Sequence, residues 1–335
     1  MDRHLVITVD TEADWHHPEQ LKLRNITAIP DFQDECVQYG FIPTYLVTYE
    51  VASRDESLSV LQPIAGKKLC EIGHHLHVWS TPPFETPSPG GTDSTWMHGL
   101  QSELPDPLFE AKMLMLHNTI RKNFGLAPTS HRAGRWAIDT RTLKWLSGHN
   151  YLADSSMTAR KTWWFTRGKK TRIGVNSARV SNNPYFPSLS DITMPATRDS
   201  DRIGILEIPV SAAGTAFGAL QRTRGFGLFS AGLNKTGCYR LGMVSFRPSY
   251  PVPDALFSRW LERLFQSDLK VVNFMFHSNE LHTGTSPYSR TENRTADVRK
   301  RIRKVMDTAR SYGFSGISLS GYAALIKRAD DQERS

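Results

Sequence analysis

Short apolar runs alternate with helix-like segments along most of the 335-residue chain, and that rhythm limits the folds open to it. The runs are LVITV (5–9), PTYLV (43–47), CEIGHH (70–75), SHR (130–132), YLAD (151–154), ILEIPV (205–210), VVNFMF (271–276) and GISLS (316–320). Between them, residues 105–125 open on prolines and close on a glycine, as a helix does. Residues 141–150, 253–265 and 294–313 have the same helical character. Repeated strand-then-helix units predict a parallel sheet, open or closed into a barrel. A Pro/Gly-rich loop at 80–104 and an irregular region at 158–202 break the rhythm. Loops of that length carry binding function or insertions. No linker-like shift in composition interrupts the chain, so one domain is expected over residues 1–330.

With 39% hydrophobic and 22% charged residues, the composition is that of an ordinary globular protein. No run of about 18 apolar residues offers a membrane span. The formal charge of +8 suits an anionic partner or a generally basic surface, and peripheral contact with a membrane fits either. The tightest basic runs, RGKKTR (167–172) and RKRIRK (299–304), belong to no nucleic-acid module, so no nucleic-acid partner is expected. Cys36, Cys70 and Cys238 are too few and too scattered for a disulfide framework or a C-x-x-C metal site. The chain opens MDRHLVITVD, already a strand, which predicts a cytoplasmic protein without a signal region.

The informative polar residues stand at the carboxyl ends of the predicted strands. Asp10 and Glu12 follow the first, His75 and His77 the third, Arg132 ends the fourth, Asp154 the fifth, and His277 follows VVNFMF. Side chains at those ends of a parallel sheet converge on one site. Asp10 and Glu12 are two residues apart and face one way on an extended strand. The same spacing turns His75 and His77 to one face, with His74 on the other. Two imidazoles so placed can chelate a metal ion, a carboxylate supplying a third ligand. Alternatively, Asp10 and Glu12 cap a helix, His277 is a satisfied core histidine, Arg132 is a structural ion-pair partner, and Asp154 caps through DSS. His16, His17 and His117 read as surface or helix-face residues.

Taken in order, the segments TVDTE (8–12), EIGHHLHVW (71–79), HRAGRW (131–136), YLADSS (151–156) and FMFHSNEL (274–281) resemble the motifs of the polysaccharide deacetylases. These are the NodB-homology group, carbohydrate esterase family four. The D-T-E and H-L-H-x-W pattern resembles a branch associated with exopolysaccharide synthesis. The resemblance implies a distorted parallel (β/α) barrel of about seven or eight strands. Three departures stand out. Thr11 occupies the place of the family's second aspartate, leaving Glu12, or Asp10 in a double role, as the metal carboxylate. Trp79 stands where the second histidine usually falls, so His77 must substitute. Ala133 and Gly134 replace the prolines of the arginine motif.

The resemblance also implies a reaction: hydrolysis of an N-acetyl or similar acyl group on a sugar of a polysaccharide or of its lipid- or nucleotide-linked precursor. A divalent metal, zinc by first choice with Fe2+, Co2+ or Mn2+ as alternatives, would sit on Glu12, His75 and His77. Asp10 would be the general base positioned by Arg132, and His277 the general acid oriented by a carboxylate such as Asp154. Trp79 and Trp136 offer rings to a sugar face, or simply pack the core. The competing readings are an amidohydrolase-type or deformylase C–N hydrolase, and a degenerate homologue that binds glycan without turnover.

Overall fold

The structure, a computed structural model, describes residues 2–15, 20–163, 166, 168–169, 174–213, 244–245, 247–250 and 252–334. His16, His17, Cys238 and most of the basic run 167–172 lie outside them.

Among these residues an eight-stranded sheet organises the fold. Its strands are β1 (Arg3–Thr11), β2 (Pro43–Val47), β3 (Glu71–Leu76), β4 (Ser130–Ala133), β5 (Ala153–Asp154), β6 (Leu206–Glu207), β7 (Val271–His277) and β8 (Phe314–Gly316). Every pairing is parallel, in the order β7-β1-β2-β3-β4-β5-β6, with β8 beside the first residues of β1. β1 is buried from His4 onward and β7 up to its last residue, as strands covered on both faces must be. The sheet curls until the segment after β6 meets β7. There the Ser211 N–H donates to the Asn273 carbonyl at 3.0 Å, and Asn273 Nδ2 donates to the Ile208 carbonyl at 2.9 Å. The result is the distorted (β/α) barrel expected from the sequence. The last strand lies slightly upstream of the GISLS run, because Leu319 already begins a helix.

Helices cover the outside. After α1 (Ile29–Tyr39), α2 (Tyr49–Ser53) and α3 (Asp55–Gly66), helix α4 (Asp106–Phe124) buries Phe109, Met113, Leu116 and Ile120 at helical spacing. It ends at Gly125, whose φ of 74° is the left-handed cap that glycine adopts without strain. His117 lies on the buried side of α4, hydrogen-bonded to the Tyr151 hydroxyl at 3.0 Å, rather than at the surface. From the same helix the fully buried Lys112 donates to the carbonyls of Thr81 and Pro83 at 2.6 and 2.8 Å, fastening the 80–104 loop. Helices α5 (Thr140–Gly148), α6 (Asp254–Gln266), α7 (Glu292–Ser311) and α8 (Leu319–Arg334) follow.

The basic run on α7 is used within the protein. Arg299 and Arg303 pair with Glu35 on α1, at 3.8 and 3.1 Å. Lys300 and Arg301 pair with Asp254 on α6, at 3.4 and 2.8 Å. Much of this charge therefore docks one helix on its neighbours.

Candidate metal and acid–base site

The ladder register itself brings the candidate residues together. Asp10 of β1 is the direct partner of His277 on β7, and His75 of β3 is the partner of Arg132 on β4. Glu12 and His77 lie just past their strand ends. With His75 they form a buried cluster whose ligand atoms all fall within 4.8 Å of one another. His77 Nε2 stands 3.3 Å from Glu12 Oε2. His75 donates from Nδ1 to the Arg132 carbonyl at 2.9 Å, which leaves Nε2 with a free lone pair.

Burial shapes the electrostatics. It pushes Glu12 up to about 7, opposed by His277 and reinforced by Asp10 and Glu50. It draws His75 down to about 4 and His77 well below the ordinary imidazole value. Two neutral imidazoles and a carboxylate whose charge lacks a cation make a donor set that fits a divalent ion such as zinc.

Asp10 has the opposite balance. Burial would raise it, but Arg132, His75 and His277 outweigh that and hold it well below the usual carboxylate range. Arg132 is itself fully buried. Its Nη1 donates to Asp10 Oδ1 at 2.5 Å, Nη2 to Thr8 Oγ1 and Ser155 Oγ at 2.8 Å each, and Nε to the Ser155 carbonyl at 2.7 Å. Asn273 joins this net, its Nδ2 donating to Ser155 Oγ at 2.8 Å and its Oδ1 accepting from Thr8 at 3.1 Å. The VVNFMF strand thus owes its one polar residue to the barrel interior.

His277 Nε2 faces Asp10 Oδ2 at 3.7 Å and Glu12 Oε1 at 3.9 Å. Its other nitrogen does not meet Asp154, contrary to the sequence expectation. Glu280 Oε1 lies 3.2 Å from Nδ1, and Arg247, ion-paired with that carboxylate, stands 2.7 Å away. Asp154 instead bonds His131 Nδ1 at 2.6 Å and Ser156 Oγ at 2.8 Å. His131 and Asp154 are ladder partners one residue out of phase with Arg132, so both point to the opposite face. His74 shares that face, its ring 5.3 Å from His131 and its Nε2 against the Met113 carbonyl.

The cluster opens into a cavity of about 630 Å³. Trp79 lines it, stacked on His77 at 4.3 Å. Trp136 lines it as well, stacked on Trp163 at 5.2 Å. Trp136 follows Arg135, and both occupy the left-handed region, with φ of 61° and 55°. The turn hugs the site so closely that a Cβ on Gly134 would fall 2.7 Å from the His77 ring and 2.3 Å from the Leu76 carbonyl. Sequence reasoning missed Glu280, Arg247 and Glu50. The first sits in the polar loop after β7, and the last obeys the strand-end rule at β2.

Known structures share this architecture. One is a Mycobacterium smegmatis protein assigned as a polysaccharide deacetylase, at 13% identity and TM-score 0.53 over 99% of this chain and 92% of that one. A glycoside hydrolase/deacetylase assignment from Parabacteroides distasonis aligns at 11% identity and TM-score 0.57, over 98% of this chain and 71% of that one. The 4-alpha-glucanotransferase of Thermococcus litoralis aligns at 12% identity and TM-score 0.52, over 97% of this chain but 40% of its own. The shared property is the fold. No protein-family model and no curated protein matches the sequence. A fold that also carries glycosyl transfer does not choose the reaction, so the site must.

Proposed function

We propose that the protein is a metal-dependent hydrolase that removes an acyl group, acetyl or formyl, from the amine of a sugar. The observation that carries this reading is the buried Glu12–His75–His77 cluster beside the Asp10–Arg132 pair and His277, all at one end of the barrel. A divalent ion held by Glu12, His75 and His77 would supply a water of lowered pKa and polarise the amide carbonyl. Asp10, kept ionised by Arg132, accepts the water's proton. His277 protonates the leaving amine from Nε2, its ring held by Glu280, 3.2 Å from Nδ1 and shared with Arg247. Trp79, Trp136 and the half-exposed Trp15 at the rim offer flat apolar surface to a pyranose ring.

The substrate class we favour is a polysaccharide or its lipid- or nucleotide-linked precursor, in line with the motif resemblance and with the solved deacetylase assignments of like fold. The ion pairs on α7 argue against reading the positive charge as a nucleic-acid footprint. The test is acetate and formate release from a panel of N-acylated sugars, lipid-linked ones included, with Asp10→Asn as control. Release by the wild type that Asp10→Asn lowers by about 10²–10⁴-fold supports the mechanism. Equal, negligible release from every substrate by both proteins removes it.

A further inference from the structure

Two acids lining the cavity have no role in that mechanism, and one of them, Asp14, is paired with Arg24 at 2.8 Å. The other, Glu50, is 3% exposed and lines the same cavity as the cluster. Its Oε2 is buried without a hydrogen-bond partner, and its carboxylate makes no ion pair among the described residues. It sits just beyond β2, the strand that lies between β1, which leads to Glu12, and β3, which carries His75. A buried, unpaired carboxylate is expensive unless something positive arrives. The other acids facing the cluster are already balanced, Asp10 by Arg132 and Glu280 by Arg247. With two neutral imidazoles, Glu12 supplies only one negative charge to a divalent ion.

We propose that Glu50 is a fourth member of the cation site, its carboxylate neutralising the second positive charge of an ion held by Glu12, His75 and His77. This rests on the cation reading given above. An acid in the first turn of a helix is ordinarily satisfied by water or by free N–H groups of that turn. Glu50 Oε2 has no N–H partner of that kind, and α2 is only five residues long. Charge balance is what a cation would bring to this position, and a purely structural acid would not need it.

The experiment is a Zn2+ titration of the metal-stripped full-length protein against a competing chromogenic chelator, with melting temperatures recorded for stripped and loaded protein. The variants are Glu50→Gln, Glu50→Asp, Glu12→Gln and, as control, Glu56→Gln on the exposed face of α3. Glu50→Gln should weaken binding about 10- to 100-fold, the range found for residues that support a metal ligand. Glu50→Asp, which keeps the charge, should retain more affinity than Glu50→Gln, and Glu56→Gln should match the wild type. Stripped Glu50→Gln should melt no lower than stripped wild type, while gaining less on loading. Zinc affinity of Glu50→Gln within twofold of wild type overturns the proposal. So does a lower melting temperature of the stripped variant with the metal-induced gain intact, the mark of a structural acid. Loss of Zn2+ binding by the wild type would instead overturn the cation reading itself.

Discussion

Replacing Arg132 by methionine tests the centre of the site, because four hydrogen bonds end on that side chain, one of them the ion pair with Asp10. The substitution keeps an apolar stem of similar length and leaves Asp10 buried without its cation. Breaking one side of a buried pair costs about 3–5 kcal/mol. The Thr8 and Ser155 hydroxyls keep Asn273 and the Ile208 carbonyl as partners and add little, while the Ser155 carbonyl loses its N–H donor, at about 1–3 kcal/mol more. Asp10→Asn keeps an acceptor for Nη1 but leaves the buried Arg132 charge unpaired, and falls in the same range of about 3–5 kcal/mol. The double variant removes both charges and should fall short of the sum by at least about 1 kcal/mol. Urea unfolding of the metal-stripped proteins, fitted with a common m value, measures all three. Additivity within about 0.5 kcal/mol would show that the two groups do not interact, and the argument for an ionised, Arg-held base would fail.

Glu12 makes a pH-dependent contribution in the stripped protein. Its folded value, about 7, lies above the unfolded one, so it stabilises at low pH and that stability is lost as pH rises toward 7. The melting temperature of Glu12→Gln relative to wild type should therefore climb between pH 5 and 7.5, and a flat difference would contradict the burial argument. His277→Gln should lower acyl release by about 10²–10⁴-fold with little change in KM, and Glu280→Gln should lower it less. Lys112→Met leaves the Thr81 and Pro83 carbonyls unpaired, at about 1–3 kcal/mol each. Limited proteolysis should then cut preferentially within residues 80–104.

What could be read from the sequence was whatever regular strands control. Asp10, His75, Arg132 and His277 end long or well-paired strands, where alternation alone decides the face. Glu12 and His77 continue that phase by one step. Asp154 follows the same strand-end rule but ends a two-residue strand. Its face is set by its ladder partner His131, and no local pattern carries that information. The partners of His277 were hidden for a different reason. Glu280 lies in a short turn and Arg247 thirty positions upstream of the histidine, and their meeting depends on the tertiary path. Trp79 and Trp136 were legible as aromatic, but their stacking on His77 and Trp163 was not.

The Asp10–His277 and His75–Arg132 partnerships are steps of the β ladder. Their backbone spacing is set by the hydrogen bonds that hold the sheet, about 4.7–4.9 Å between neighbouring strands. Loops can breathe, lengthen or be exchanged without altering that distance. That half of the site is therefore as durable as the barrel, and heat should abolish the two together.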